Sequence, residues 1–293
     1  MVVGGSFTLN SGHEIPLVGL GISGIHEELG VAVEQALLAG YRLFDTARIY
    51  NNEERLGQVL KEKLEALGIK REEVFITTKV PIVNENTVAE VEKSITDSLQ
   101  RLQVEYLDLV LIHYPKDRFT GIDGDREANV KARKLVYQKL EEYVDQGVIR
   151  SIGVANYEPY HLHELFQFAR IKPSINQFEY HPYLTKPQTV EVTRQYGIFP
   201  QAFSSLLTGN KEIFTEPLII ELAKKYAVSE QTILYAFALN TNLGIIPKSA
   251  TPSRIISNLK DVIGVKFTDS EIAQLLDLDR NAAFSDCSPW RVL

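Results

Sequence analysis

Four side chains in the first half of the chain have the acid–base character to deliver a proton to a carbonyl oxygen. Asp45 and Tyr50 lie in Phe44-Asp45-Thr46-Ala47-Arg48-Ile49-Tyr50, Lys79 closes Thr77-Thr78-Lys79, and His113 sits in Leu111-Ile112-His113-Tyr114. A free phenol, with a pKa near ~10, is too weak an acid at neutral pH. An ammonium beside it favours the phenolate and lowers that value, while a carboxylate keeps the lysine charged and oriented. A drop of about 3 units requires roughly 4 kcal/mol of differential stabilisation, which a buried Lys–Asp pair can supply. The imidazole would hydrogen-bond the substrate oxygen and fix its position. Each residue alone has a plainer reading, as a helix cap, a solvated lysine or a satisfied core histidine. Asp45, Lys79 and His113 each terminate a short apolar run, however, and three such ends with a tyrosine nearby point to one site.

The elements that must position them are legible as a repeat. Apolar runs of five to eight residues occur at 16–21, 43–47, 74–80, 107–114, 149–156, 174–180, 199–206 and 243–249, most with few charges. Such runs mark strands buried on both faces of a parallel sheet. The segments between them read as amphipathic helices. Val88, Val91, Ile95, Leu99 and Leu102 recur at spacings of three or four, a single face at helical period. Thr251-Pro252 resembles an N-cap followed by proline at the first helical position, and Thr268 with Glu271 has the form of a capping box. Eight strands alternating with helices, with no linker or compositional break, indicate an α/β fold of the (β/α)8 TIM-barrel type, one domain over residues 1–293. Residues 6–9 followed by Asn10-Ser11-Gly12 indicate an N-terminal β-hairpin capping the barrel. In such a barrel the active site lies at the C-terminal ends of the strands, where Asp45, Lys79 and His113 fall.

One pattern competes with this reading. Gly19-Leu20-Gly21-Ile22-Ser23-Gly24 matches the G-x-G-x-x-G of dinucleotide-binding folds, with Asp45 about 20 residues on. The alternative is therefore a Rossmann-type dehydrogenase using Gly19, Gly21 and Gly24; the barrel reading makes them a turn at the barrel mouth.

Beyond the four polar residues, longer motifs carry a resemblance. Phe-Asp-Thr-Ala-x-x-Tyr-x-Asn-Glu from Phe44 to Glu53, Thr77-Thr78-Lys79 and Leu111-Ile112-His113-Tyr114-Pro115 resemble the aldo-keto reductase superfamily. So do Gly153-Val154-Ala155-Asn156-Tyr157, Asn176-Gln177-Phe178-Glu179-Tyr180-His181-Pro182 and Ile246-Pro247-Lys248-Ser249, in the family's order over nearly the whole chain. The resemblance implies NADPH-dependent reduction of aldehydes or ketones to alcohols, with hydride from the nicotinamide, Tyr50 as general acid, Lys79 and Asp45 tuning it and His113 orienting the carbonyl. It implies that Asn156 and Gln177 hold the carboxamide and that Phe203 stands where a stacking tyrosine is usual. Ser204 and Leu206 fall near the pyrophosphate, Lys248, Ser249 and Arg254 on the 2′-phosphate, and Asn258 near the adenine. Two cations and a hydroxyl at a helix start form an anion site, so NADP(H) is expected over NAD(H). A non-catalytic NADP(H)-binding protein on the same fold is the second alternative.

The sequence departs from the family in places. Ala155 stands where serine is common, which removes one hydrogen bond to the carboxamide, roughly 0.5–1.5 kcal/mol. Tryptophans usual at the barrel mouth are replaced by Ser23 and Gly24, by Pro81 and Ile82, and by Tyr114; the single tryptophan, Trp290, lies in the C-terminal tail that borders the substrate in this family. The expected pocket is formed by Ser23, Pro81, Ile82, Tyr114 and Trp290, is less walled by aromatics, and is open to bulky or branched ketones.

Composition excludes other classes. The formal charge of −7 and the absence of any Lys/Arg run longer than two argue against nucleic-acid or anionic-membrane partners. The longest stretch free of charge, 231–247, is too short and polar to span a bilayer. A single cysteine, Cys287, precludes an intrachain disulfide and suggests a cytoplasmic protein. No Cys/His cluster has zinc spacing, so no metal is expected. A small-molecule carbonyl substrate and a monomer or weak dimer complete the expectation.

Overall fold

The period-two pattern of the strands decides which side chains reach the site. The computed structural model describes residues 3–118 and 126–285. A short hairpin, β1 (Ser6–Thr8) and β2 (Glu14–Pro16), pairs antiparallel with Phe7 opposite Ile15. Eight strands then form one parallel sheet in chain order. They are β3 (Leu20–Gly21), β4 (Leu43–Asp45), β5 (Phe75–Val80), β6 (Leu107–Ile112), β7 (Ile149–Ala155), β8 (Ile175–Glu179), β9 (Phe199–Phe203) and β10 (Gly244–Ile245). Each lies within one of the eight apolar runs. Its two edges meet: Val18 bridges Ile245 and Gly21 bridges Lys248, both parallel, and the Gly19 N–H donates to the Ile245 carbonyl at 2.8 Å. The arrangement is that of a (β/α)8 fold. The seam strands are shorter than their runs because Pro16 already belongs to the hairpin and Pro247, lacking an N–H, cannot donate to a ladder.

Helices fill the connections: α1 (Leu29–Ala39), α2 (Glu53–Leu67), α3 (Thr87–Leu102), α4 (Arg126–Asp145), α5 (Pro159–Leu165) and α6 (Pro187–Gln195) follow β3 to β8 in turn. After β9 come α7 (Pro217–Tyr226) and α8 (Glu230–Asn240), and after β10 come α9 (Pro252–Gly264) and α10 (Asp269–Leu276). The α3 stripe buries Val91, Ile95 and Leu102, while Val88, in the first turn, stays largely exposed. Thr268 and Glu271 make both bonds of a capping box on α10. On α9, Pro252 takes the first position, but the Thr251 hydroxyl makes no cap bond; Ser249 Oγ instead accepts from the Thr251 N–H at 3.1 Å.

Alternate residues sort into two cores. Phe44, Ile76, Val110, Ile112, Ile152, Val154 and Phe178 pack outward among the helices. Leu43, Phe75, Leu109, Leu111, Ala155, Ile175, Phe199 and Ile246 form a separate cluster with Leu9 and Ile15 of the hairpin, so they fill the barrel interior. Asp45 follows Leu43 at the same parity, Lys79 follows Phe75, His113 follows Leu111, and Gln177 follows Ile175. The inward polar residues therefore lie one layer above an apolar plug. The hairpin meets the opposite end: Phe7 stacks on Phe199 at 4.2 Å, and Asn10 donates to the Pro173 carbonyl at 2.8 Å and accepts from Ser174 Oγ at 2.7 Å.

Gly19 and Gly21 are required by close packing at β3, whereas Gly24 has open space and a left-handed φ of 70°. A Cβ on Gly19 would meet Leu43 side-chain atoms at 2.5 Å, and one on Gly21 the Ile246 carbonyl oxygen at 2.8 Å. The sheet order is sequential and never reverses, so it lacks the switch point of a Rossmann fold. That alternative is set aside. Gly19→Ala is expected to lower the melting temperature, as overpacking costs about 1–3 kcal/mol, while leaving NADPH affinity near that of the wild type by calorimetry.

Candidate active site

Strands β4 and β5 are neighbours, with Asp45 beside Thr77 in register, so Asp45 and Lys79 can reach one another across the barrel mouth. Lys79 Nζ donates to Asp45 Oδ1 at 2.5 Å and to the Thr46 carbonyl at 2.9 Å, and both side chains are buried. A short helical turn, Arg48–Tyr50, brings the Tyr50 ring over this pair, its centroid 5.2 Å from Lys79 Nζ. Edge-on to it at 5.6 Å stands His113, which stacks on Tyr114 at 4.7 Å.

The electrostatics refine the expectation for Tyr50. Burial of the phenol raises its pKa, and this outweighs the pull of Lys79 and the hydrogen bonds from Lys79 and Ser23, so the group holds its proton more firmly than a free tyrosine. The neighbouring ammonium alone predicts a net lowering; how far the half-buried ring is withdrawn from water is a property of the fold. Burial works against the Lys79 charge as well, but Asp45 and Tyr50 outweigh it and hold the ammonium protonated. His113 lies well below the ordinary histidine value, through burial first and the Lys79 charge second, and is neutral.

Gln177 reaches the same carboxylate from β8: its Nε2 donates to Asp45 Oδ2 and to Gln201 Oε1, each at 2.8 Å. Asn156 follows β7 with a left-handed backbone, φ 61°, and its Nδ2 donates to the His113 carbonyl at 2.9 Å. A cavity of about 1110 Å³ opens above these groups. Asp45, Tyr50, His113, Asn156 and Gln177 line it, as do Phe203, Ser204, Leu206, Lys248, Ser249, Arg254 and Asn258. Of these, Lys248 and Arg254 are exposed beside the start of α9, and neither makes an ion pair among the described residues. Lys79 is behind the lining, covered by its neighbours. Of the pocket expected from sequence, Ser23 and Tyr114 line the cavity; Pro81 and Ile82 do not, and Ile82 is packed in the outer core because its parity at the end of β5 turns it away from the mouth. Trp290 lies outside the described residues.

The sequence reading missed lining residues on the loop after β9 and on α8, among them Thr208, Phe214, Gln231 and Tyr235, together with Ile49. It also missed what anchors the chain's last described segment. Glu179, ending β8, accepts at Oε1 from the backbone N–H of Phe284 at 2.8 Å and of Ser285 at 3.1 Å, with His181 Nε2 also at 3.1 Å. Burial alone would raise the Glu179 pKa; these donors outweigh it and hold the carboxyl below its ordinary value. Ser285 Oγ then donates to Ser204 Oγ at 2.8 Å, which ties the segment to the cavity wall. A carboxylate ending a strand, beside a histidine, is the only trace of this in the sequence.

Comparison with known proteins decides the family. The model of the Aldo/keto reductase family matches residues 25–280. The chain belongs to the aldo/keto reductase family. It is an NAD(P)H-dependent oxidoreductase acting on carbonyl groups. Among its curated relatives, the methylglyoxal reductase of Escherichia coli is 36% identical, covering 93% of this chain and 92% of that protein. The NADP-dependent D-sorbitol-6-phosphate dehydrogenase of Malus domestica is 32% identical over 93% of each. Among solved structures, the aldo-keto reductase of Bombyx mori in complex with NADP is 31% identical with a TM-score of 0.87, covering 99% of this chain and 97% of that one.

The buried histidines of this aldo/keto reductase give it a pH signature. His113 is depressed well below 6.5 and His161 to about 2, both chiefly by burial. Each is neutral in the fold, but in the unfolded chain takes up a proton below about pH 6.5. Stability is therefore full above that value and falls as pH drops, by up to about 1.4 kcal/mol per pH unit for each histidine. Thermal melts between about pH 8 and pH 5 are expected to show this decline, and His113→Asn to flatten it by removing one of the two contributions.

Proposed function

We propose that this enzyme reduces aldehydes or ketones with NADPH in preference to NADH, Tyr50 giving the proton and the nicotinamide the hydride. One observation carries the reading: a single cavity is lined both by Tyr50, Asp45 and His113 and by Lys248 and Arg254. The residues present fit the cofactor. Gln177 and Asn156 offer amides at the reacting end, and Phe203 offers a ring along the wall. Two lining cations without ion-pair partners among the described residues stand beside a helix start whose Thr251 makes no side-chain cap bond, an arrangement suited to a phosphate. The 2′-phosphate distinguishes NADPH from NADH, and cations lining the cavity favour the former.

When bound, the cofactor supplies the hydride. The chain's own residues do the rest. Neutral His113 donates to the carbonyl oxygen and holds it near Tyr50. Tyr50 keeps its proton in the resting site because partial desolvation disfavours the phenolate, and gives it up as negative charge develops on the substrate oxygen. Lys79, held charged by Asp45, stabilises the phenolate that remains. Ser23, Tyr114 and the segment at Ser285 border the substrate, with the hairpin as the floor of a single 1–293 domain. With small residues at Ser23 and Gly24 the mouth suits bulky or branched ketones. The Ala155 methyl, packed in the inner core, offers the carboxamide no hydrogen bond. We further read the protein as cytoplasmic and as a monomer or weak dimer.

Tyr50→Phe is expected to lower kcat by about 10²-fold or more with NADPH affinity retained, followed by NADPH absorbance on a panel of carbonyls. In the same assay Lys248→Ala and Arg254→Ala raise the KM for NADPH and leave that for NADH little changed. A Tyr50→Phe enzyme as fast as wild type would reject the assignment.

A further inference from the structure

Gln201 lies in β9 directly beside Gln177 of β8 in register, wholly buried and beneath the cavity wall. The terminal atom of Gln177 that is 2.8 Å from Asp45 Oδ2 is also 2.8 Å from the Gln201 amide. Which atoms these are follows from chemistry. Asp45, ion-paired to Lys79, is a carboxylate and only accepts hydrogen bonds, so the Gln177 atom must be its nitrogen. The facing Gln201 atom must then be its oxygen. Both protons of the Gln177 amide are thereby used, one on each acceptor, and Gln177 presents only its carbonyl oxygen to the cavity it lines. Gln201 Nε2 is left buried without a partner among the described residues. An unsatisfied buried donor is costly to a fold, so stability alone gives no reason for glutamine at this position.

We propose that Gln201 is a positioning residue that fixes the Gln177 amide as a hydrogen-bond acceptor for the carboxamide NH2 of the nicotinamide. This rests on the reading of the cavity as an NADP(H) site and adds the group that sets its selectivity at the reacting end. Without the Gln201 acceptor, the Gln177 amide pivots about its one remaining bond to Asp45 and its carbonyl no longer holds a fixed direction. The same amide shares Asp45 with Lys79, so the seat of the carboxamide and the anchor of the proton donor are one connected network, running from β9 through β8 to β4 and β5.

The test is a ratio of dissociation constants, measured by titration calorimetry, for NADPH and its reduced acetylpyridine analogue, in which a methyl replaces the amide NH2. Wild type is expected to favour NADPH by about three- to tenfold, the worth of one neutral hydrogen bond. Gln201→Met brings the ratio toward one, and Gln201→Glu, which keeps an acceptor, restores it. General damage to the fold weakens both ligands alike and leaves the ratio unchanged, so only a positioning role moves it. An unchanged wild-type ratio in Gln201→Met overturns the inference while the functional reading stands. If the wild type binds neither nucleotide, the functional reading falls and this inference with it. A measurement that needs no variant is solvent exchange of the Gln177 side-chain NH2 by NMR: both protons are expected to be slowed, and fast exchange of either one overturns the proposal.

Discussion

The site depends on one buried ion pair. Lys79 and Asp45 face each other across adjacent strands, both nearly inaccessible. Removing two such charges from water is expensive, and well-packed apolar residues in their place are often neutral or more stabilising. The pair is therefore poorly explained as a stabilising device. Its geometry explains it better: the ammonium lies under the Tyr50 ring, and the second oxygen of Asp45 is held by Gln177. A charge placed there works only if its surroundings are rigid, and a closed ring of parallel strands provides that rigidity.

Closure is in turn a constraint on backbone approach. The seam between β3 and β10 brings Gly21 against the Ile246 carbonyl, where a Cβ would sit 2.8 Å from the oxygen, and on the other side Gly19 lies against the Leu43 side chain of β4. Below the polar layer the interior is filled by Leu43, Phe75, Leu109, Leu111 and Ile175, with Leu9 and Ile15 of the hairpin added from beneath. The charged layer consequently has water-exposed cavity on one side and packed hydrocarbon on the other. The burial that comes with it lowers the His113 pKa and raises that of Tyr50.

Much of this was legible in the sequence, for a physical reason. Parallel strands are buried on both faces, so they read as continuous apolar runs, and a polar residue ending such a run stands out, as Asp45, Lys79 and His113 do. The fold also places the cofactor residues expected from the family resemblance along one cavity. What stayed hidden depends on register and depth. Gln201 in Phe-Pro-Gln-Ala-Phe has no local signal, since its role exists only through pairing with Gln177. Glu179 likewise gains its role from chain that returns more than a hundred residues later. Ile82 was misplaced because parity, one residue past Pro81, turns it into the outer core. The sign of the Tyr50 shift required knowing how closely the ring is enclosed, which no spacing encodes.

The most direct measurement is the rate of carbonyl reduction by Lys79→Met, followed by NADPH absorbance, with folding and NADPH affinity checked on the same preparation. If the ammonium's task is to stabilise the Tyr50 phenolate, kcat falls by about 10²-fold or more while the NADPH dissociation constant stays within a few fold of wild type. A folded Lys79→Met enzyme that binds NADPH and reduces the substrate at near the wild-type rate would contradict the account.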